Sequence, residues 1–120
     1  MRSNESSEDY IETILLLSKK LPVVRSVDIA NELGYKKSSI SVAMKKLRES
    51  GYITVTEAGF IYLTDEGKAL AESVYERHTV FTELLMSLGV SAEVAEKDAC
   101  RIEHVVSEES FAAIKRHINK

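Results

Sequence analysis

The chain has 120 residues, 44% of them apolar, and a formal charge of −3, which allows a packed core and argues against general disorder. No segment approaches the ~20 apolar residues of a membrane span, and the start, Met1-Arg2-Ser3-Asn4-Glu5, lacks a signal-peptide apolar region. One cysteine, Cys100, excludes an intramolecular disulfide framework and fits a reducing cytoplasm, where the protein is expected to act.

A whole-chain pI of about 5.6 argues against a nucleic-acid partner, but the charge is unevenly placed. From Lys19 to Arg48 there are eight basic residues and two acids, a balance of +6, whereas residues 71–120 carry −3. A basic block followed by an acidic one suggests that the first half faces a polyanion. A lysine-rich solvated helix face is the plain alternative on charge alone.

In chain order, Ser7 to Lys20 places Ile11, Ile14, Leu15 and Leu17 at helical spacing, and Leu21-Pro22 ends that helix. Ser26 is an N-cap candidate for a short helix to about Leu33, with Gly34 in the turn. Lys37 to Ser50 fits a second helix with Ile40, Met44 and Leu47 on one face. Residues Tyr52–Thr56 and Phe60–Leu63 read as two strands around the turn Glu57-Ala58-Gly59. Thr64 caps a long helix to Gly89, roughly 37 Å at 1.5 Å per residue, whose stripe is Leu70, Val74, Phe81 and Leu85. That stripe is expected to meet a partner, most simply a second copy. Ser91 opens a helix through about Val106, and Ser107 caps a last one.

This order, helix, helix, turn, helix and ribbon, is that of a winged helix–turn–helix. The fold class expected is mainly α. A winged helix–turn–helix DNA-binding domain (1–70) precedes a helical metal-binding and dimerisation domain (71–120), with the helix from about 64 shared between them. Ala30 is small enough for the first helix to cross the second closely. Ile29, Leu33, Ile40, Met44 and Leu47 then form the shared core, leaving Lys37, Ser38, Ser39, Ser41, Val42, Lys45 and Lys46 pointing outwards. Hydroxyls for phosphates or base edges, an aliphatic group for a thymine methyl and lysines for phosphate or guanine suit a recognition helix. Arg25, Ser26 and Lys36 extend the candidate DNA face. A winged helix used for protein contacts is the alternative, and the local positive balance weighs against it.

A second constellation has ligand chemistry. Asp9 and Glu12 lie three apart on the first helix, and Cys100, Glu103 and His104 stand at i, i+3 and i+4, so one helix can aim all three at one point. His78 borders the stripe of the long helix. Carboxylates, two imidazoles and a thiol form a shell for a divalent first-row metal. Each residue also has an ordinary role by itself: first-turn acids, a hydrogen-bonded histidine, a small buried cysteine, a surface Glu–His pair.

With these residues in hand, the chain resembles the diphtheria-toxin-repressor family of metal-dependent transcriptional repressors, including its manganese-transport-regulator branch. The resemblance is carried by Glu8-Asp9-Tyr10-Ile11-Glu12, Asp28-Ile29-Ala30, Leu33-Gly34, Ser38-Ser39-Ile40, Leu63-Thr64-Asp65-Glu66-Gly67 and Arg77-His78. Its most specific segment is Ala99-Cys100-Arg101-Ile102-Glu103-His104-Val105-Val106-Ser107. It implies a homodimer on a palindromic double-stranded operator, with metal sites between the DNA-binding unit and the dimerisation helices. It puts Asp9, Glu12, His78, Cys100, Glu103 and His104 on ligand positions, with Glu96 a further candidate where some iron-type members carry histidine. Asp9 and Glu12 match the manganese branch and Cys100 the iron-type branch, so the chain is a mixture. The wing turn lacks the basic residue common in relatives, and the chain ends before the SH3-like domain of longer members could fit.

The expected function is a metal-gated repressor of metal-uptake genes, without enzymatic activity, binding one or two Fe(II) or Mn(II) ions per subunit. The thiolate favours Fe(II) narrowly over Mn(II), and Zn(II), Co(II) or Ni(II) are expected to bind in vitro. Ligands from both halves on one ion would fix the spacing of two recognition helices near one DNA turn, roughly 34 Å. A metal-independent winged-helix regulator answering to a small molecule or protein is the rival class. A metallohydrolase is disfavoured by the absence of an HExxH arrangement or phosphate loop.

Overall fold

The computed structural model describes residues 3–119, with side chains from residue 7. They form two compact units that divide between Glu72 and Ser73, inside one long helix. Among the described residues no helix is long and apolar enough to cross a membrane.

The first unit runs α1 (Ser3–Lys20), α2 (Ser26–Leu33), α3 (Lys37–Glu49), β1 (Ile53–Val55), β2 (Ile61–Leu63) and the start of α4 (Asp65–Ser87). Its core takes Ile11, Ile14, Leu15 and Leu17 from α1, Ile29 and Ala30 from α2, and Ile40, Met44 and Leu47 from α3. The helical spacing of those residues is therefore the packing face itself. Leu33 and Leu70 are half-buried against the same core. Gly34 closes α2 at φ 73°, a left-handed conformation that admits the short turn into α3.

The start of α2 differs from expectation. Ser26 lies inside the helix, and Arg25 is the N-cap residue, in extended conformation. The Asp28 carboxylate accepts from the Arg25 N–H at 2.8 Å, so the acid three residues into the turn closes it in place of a serine hydroxyl.

Strands β1 and β2 pair antiparallel, Ile53 opposite Leu63 and Val55 opposite Ile61, with Ile53 and Ile61 turned into the core. Val24 adds an antiparallel bridge to Ile61, its carbonyl accepting from the Ile61 N–H at 2.8 Å. Residues 23–24 are β-branched but too short to read as a strand from sequence. Thr64 does more than cap α4: its hydroxyl accepts from the Gly67 N–H at 3.0 Å and donates to the Gly51 carbonyl at 2.7 Å.

The second unit comprises the rest of α4, α5 (Ala92–Ile102) and α6 (Glu108–Ile118). Ser91 and Ser107 cap the last two helices, accepting from the Val94 and Ser110 N–H groups. Val74 and Phe81, expected at a partner surface, are buried within the chain at 2% and 3% exposure. Ala95 and Ala99 of α5 are buried with them, and Phe111 of α6 packs on Phe81 at 5.8 Å between ring centroids. Within the stripe, Phe81 is thus covered by the chain's own α6. Leu85 stays half-exposed, and Met86 and Leu88 beyond it are exposed.

Gly67 is the tightest backbone approach: a Cβ built there would lie 2.0 Å from the Tyr52 carbonyl oxygen. Gly67→Ala is expected to cost about 1–3 kcal/mol through overpacking against backbone, although alanine is the better helix former. Chemical denaturation of the two proteins side by side checks this. Equal stability would show that β1 can retreat.

Candidate metal centre and nucleic-acid interface

In the second unit two helices bring ligand chemistry together. His78 stands in the middle of α4, Cys100 in the last turn of α5, and Glu103 is the C-cap residue of α5. One donor atom from each lies within 4.8 Å of the others. The expected single helix carrying Cys100, Glu103 and His104 is corrected here, because α5 stops at Ile102 and residues 103–106 form a turn. Glu103 keeps helical dihedrals and bonds back to the Ala99 carbonyl at 3.0 Å, while His104 leaves the helix.

The Glu103 side chain is fully buried, which requires charge partners or hydrogen bonds. His78 Nδ1 lies 2.8 Å from one carboxylate oxygen, and His104 Nε2 lies 3.5 Å from the other. The first contact is of hydrogen-bond length, with the imidazole Nδ1 and the carboxylate oxygen as its two ends. Cys100 is exposed as a residue.

Arg77 holds this turn in place. Its Nη1 donates to the Glu103 carbonyl at 3.2 Å and to the Val106 carbonyl at 2.9 Å, satisfying two acceptors past the end of α5. The guanidinium also lies over the Phe111 ring, 5.4 Å from its centroid. Sequence reasoning missed this role. The available signal was an arginine beside His78 and four residues before the buried Phe81.

The donor set fits a first-row divalent ion: a thiol, an imidazole and a carboxylate, drawn from separate segments and fixed by backbone bonds. Glu96 lies one turn before Cys100 on α5, exposed, and among the described residues joins no such group. Asp9 and Glu12 lie on α1 of the first unit, one turn apart and half-buried. Beside Asp9, Tyr10 meets the Tyr35 ring edge-on at 6.1 Å. Burial, then Tyr35, then Asp9 raise the Tyr10 phenol above its usual 10.0, so it is neutral at physiological pH.

The candidate nucleic-acid face lies in the first unit. Lys36, Lys37, Ser38, Ser39, Ser41, Val42, Lys45 and Lys46 are all exposed on α3 or at its cap, opposite buried Ile40, Met44 and Leu47. Val42 is 57% exposed. Arg25 is exposed and Ser26 half-buried at the start of α2.

Comparison with known proteins agrees with both units. Residues 4–59 match the iron-dependent repressor N-terminal DNA-binding domain, and residues 64–120 the iron-dependent repressor metal-binding and dimerisation domain. The transcriptional regulator MntR of Escherichia coli is 36% identical over 116 residues, which cover 97% of this chain and 75% of the regulator. A helix–turn–helix-type regulator of Methanocaldococcus jannaschii is 30% identical over 119 residues, 98% of this chain and 95% of its own length. Among solved structures, a manganese-dependent transcriptional repressor in complex with manganese superposes with a TM-score of 0.86 at 26% identity over 94% of this chain. The chain spans about half of that protein, 52%. These relatives are transcriptional regulators, not enzymes.

Removing the Arg77 guanidinium leaves two turn carbonyls without their donor. Arg77→Ala is expected to lower stability by about 1.5–3 kcal/mol, and Arg77→Lys to recover only part, since one ammonium cannot copy the planar fork. Urea unfolding followed by circular dichroism checks both; a neutral Arg77→Ala would show that the turn holds itself.

Proposed function

The chain belongs to the iron-dependent repressor family, the diphtheria-toxin-repressor and manganese-transport-regulator group of metal-dependent transcriptional repressors, and from that premise we propose that it represses metal-uptake genes in the cytoplasm as a homodimer loaded with Fe(II) or Mn(II). The observation that carries the reading is the convergence of His78, Cys100 and Glu103 in a chain that also presents an exposed basic, hydroxyl-rich α3. Asp9, Glu12 and His104 are proposed as further ligands on the sequence resemblance, with one or two ions per subunit.

When bound, the ion supplies the positive charge that lets a thiolate and carboxylates share one small volume. The protein side of the work is positioning. Arg77 fixes the turn that carries Glu103, and Glu103 orients the His78 ring. On α3, lysines neutralise phosphates while Ser38, Ser39, Ser41 and Val42 reach base edges or sugar–phosphate atoms of a palindromic operator. Half-exposed Leu85 with exposed Met86 and Leu88 is the apolar surface proposed for the second copy.

Two considerations bear on the metal. The Cys100 thiolate favours Fe(II) and softer ions, whereas the similarity to a manganese-dependent repressor favours Mn(II). Anaerobic titration of Fe(II), Mn(II) and Zn(II), read by calorimetry on the protein alone, ranks them. Cys100→Glu is expected to move the ranking towards Mn(II), and an unchanged order would remove Cys100 from the ligand set.

Metal and DNA must also assist each other reciprocally, by about 1–3 kcal/mol, or roughly 5–150-fold in affinity. Binding to duplex DNA from the promoter of its own gene, with and without chelator, tests this. Equal affinity would overturn metal gating and favour a metal-independent winged-helix regulator.

A further inference from the structure

We propose that Phe60 is a positioning residue for DNA binding: its ring holds the Arg25 guanidinium beside the β1–β2 ribbon, where Arg25 takes a backbone phosphate that the ribbon itself cannot bind. The inference rests on the DNA-binding reading above and assigns the wing a role within it.

The ribbon has a charge deficit. From Glu49 to Leu63 there is no lysine or arginine, and the turn carries Glu57. A phosphate approaching this turn meets a carboxylate, so a wing contact requires a cation from elsewhere.

The fold supplies one. Val24 and Ile61 bridge antiparallel, so the next residue on one side, Arg25, falls opposite the preceding residue on the other, Phe60. The Arg25 guanidinium carbon lies over the Phe60 ring, 5.1 Å from its centroid, within cation–π range. Both backbones are fixed. The Arg25 N–H donates to the Asp28 carboxylate at 2.8 Å. The Phe60 N–H donates to the Thr56 hydroxyl at 3.0 Å, and the Phe60 carbonyl accepts from the Thr56 N–H at 3.0 Å.

A guanidinium held over a ring by a cation–π contact still has several N–H donors with which to meet an anion. Such donors are the groups that recognise a phosphate. Arg25 is exposed and Phe60 half-buried, so the ring is the anchored partner and the cation the presented one. A flexible arginine loses side-chain entropy when it binds; one already laid on a ring loses less.

The test is fluorescence anisotropy of the Mn(II)-loaded protein with labelled duplex from its own promoter, across a salt series, with thermal unfolding recorded for each variant. Phe60→Leu keeps apolar bulk but removes the π face, and should weaken binding about 2–5-fold, the affinity equivalent of an exposed cation–π contact. Phe60→Tyr should restore most of that loss. Arg25→Ala should weaken binding further and flatten the slope of log affinity against log salt by about 0.9 for each phosphate no longer neutralised. Arg25→Lys, which keeps the charge and the backbone bond, should fall between and remains informative if Phe60→Leu is unstable. In the Arg25→Ala background, Phe60→Leu should cost nothing more. Wild-type affinity in Phe60→Leu, or an equal loss with and without Arg25, overturns the inference while leaving DNA binding intact. Failure of the wild-type protein to bind any duplex overturns both.

Discussion

A carboxylate with no exposed surface has to be answered on every side, and Glu103 sets that requirement for the second unit. His78 Nδ1 lies 2.8 Å from one of its oxygens and His104 Nε2 3.5 Å from the other, and its own carbonyl is held by Arg77. Burying a lone carboxylate costs several kcal/mol, so the site exists only because α4, α5 and the turn after it are fixed together. The constraint runs both ways. The same packing that makes Glu103 tolerable makes it a pre-oriented ligand, because it has little freedom left to lose on binding. Phe81 and Phe111 serve this end by joining α4 to α6 through a ring contact.

The first unit is largely legible from sequence because its signals are local. Period-3.6 apolar spacing marks the buried faces of α1 and α3, a glycine marks the left-handed turn at Gly34, and Gly59 marks the ribbon turn. Ser26 misleads because a serine before an apolar run is a strong cap signal, whereas the true cap works through a carboxylate three residues on. Nothing in the one-dimensional pattern separates these two cases. Val24 escapes notice for a different reason: a one-residue bridge has no periodicity to detect.

In the second unit the ligand types are legible and their arrangement is not. Spacing at i, i+3 and i+4 suggests one helical face, but α5 ends before Glu103, and where a helix stops depends on tertiary bonds such as those from Arg77. Val74 and Phe81 read as outward-facing because a long amphipathic helix looks unpartnered until the helices that cover it are folded. Their burial by elements distant in sequence is a non-local fact, beyond periodicity alone.

Thr64 joins the two sides of the ribbon, since one hydroxyl bonds the Gly51 carbonyl before it and the Gly67 N–H after it. The ribbon is therefore a loop pinned at its neck. Lengthening such a loop costs only slowly rising closure entropy, about 0.6 kcal/mol per doubling. Its tip is then free to change length and charge without disturbing the helices on either side. A wing built this way is a replaceable part, and its chemistry can drift while the core that carries it stays the same.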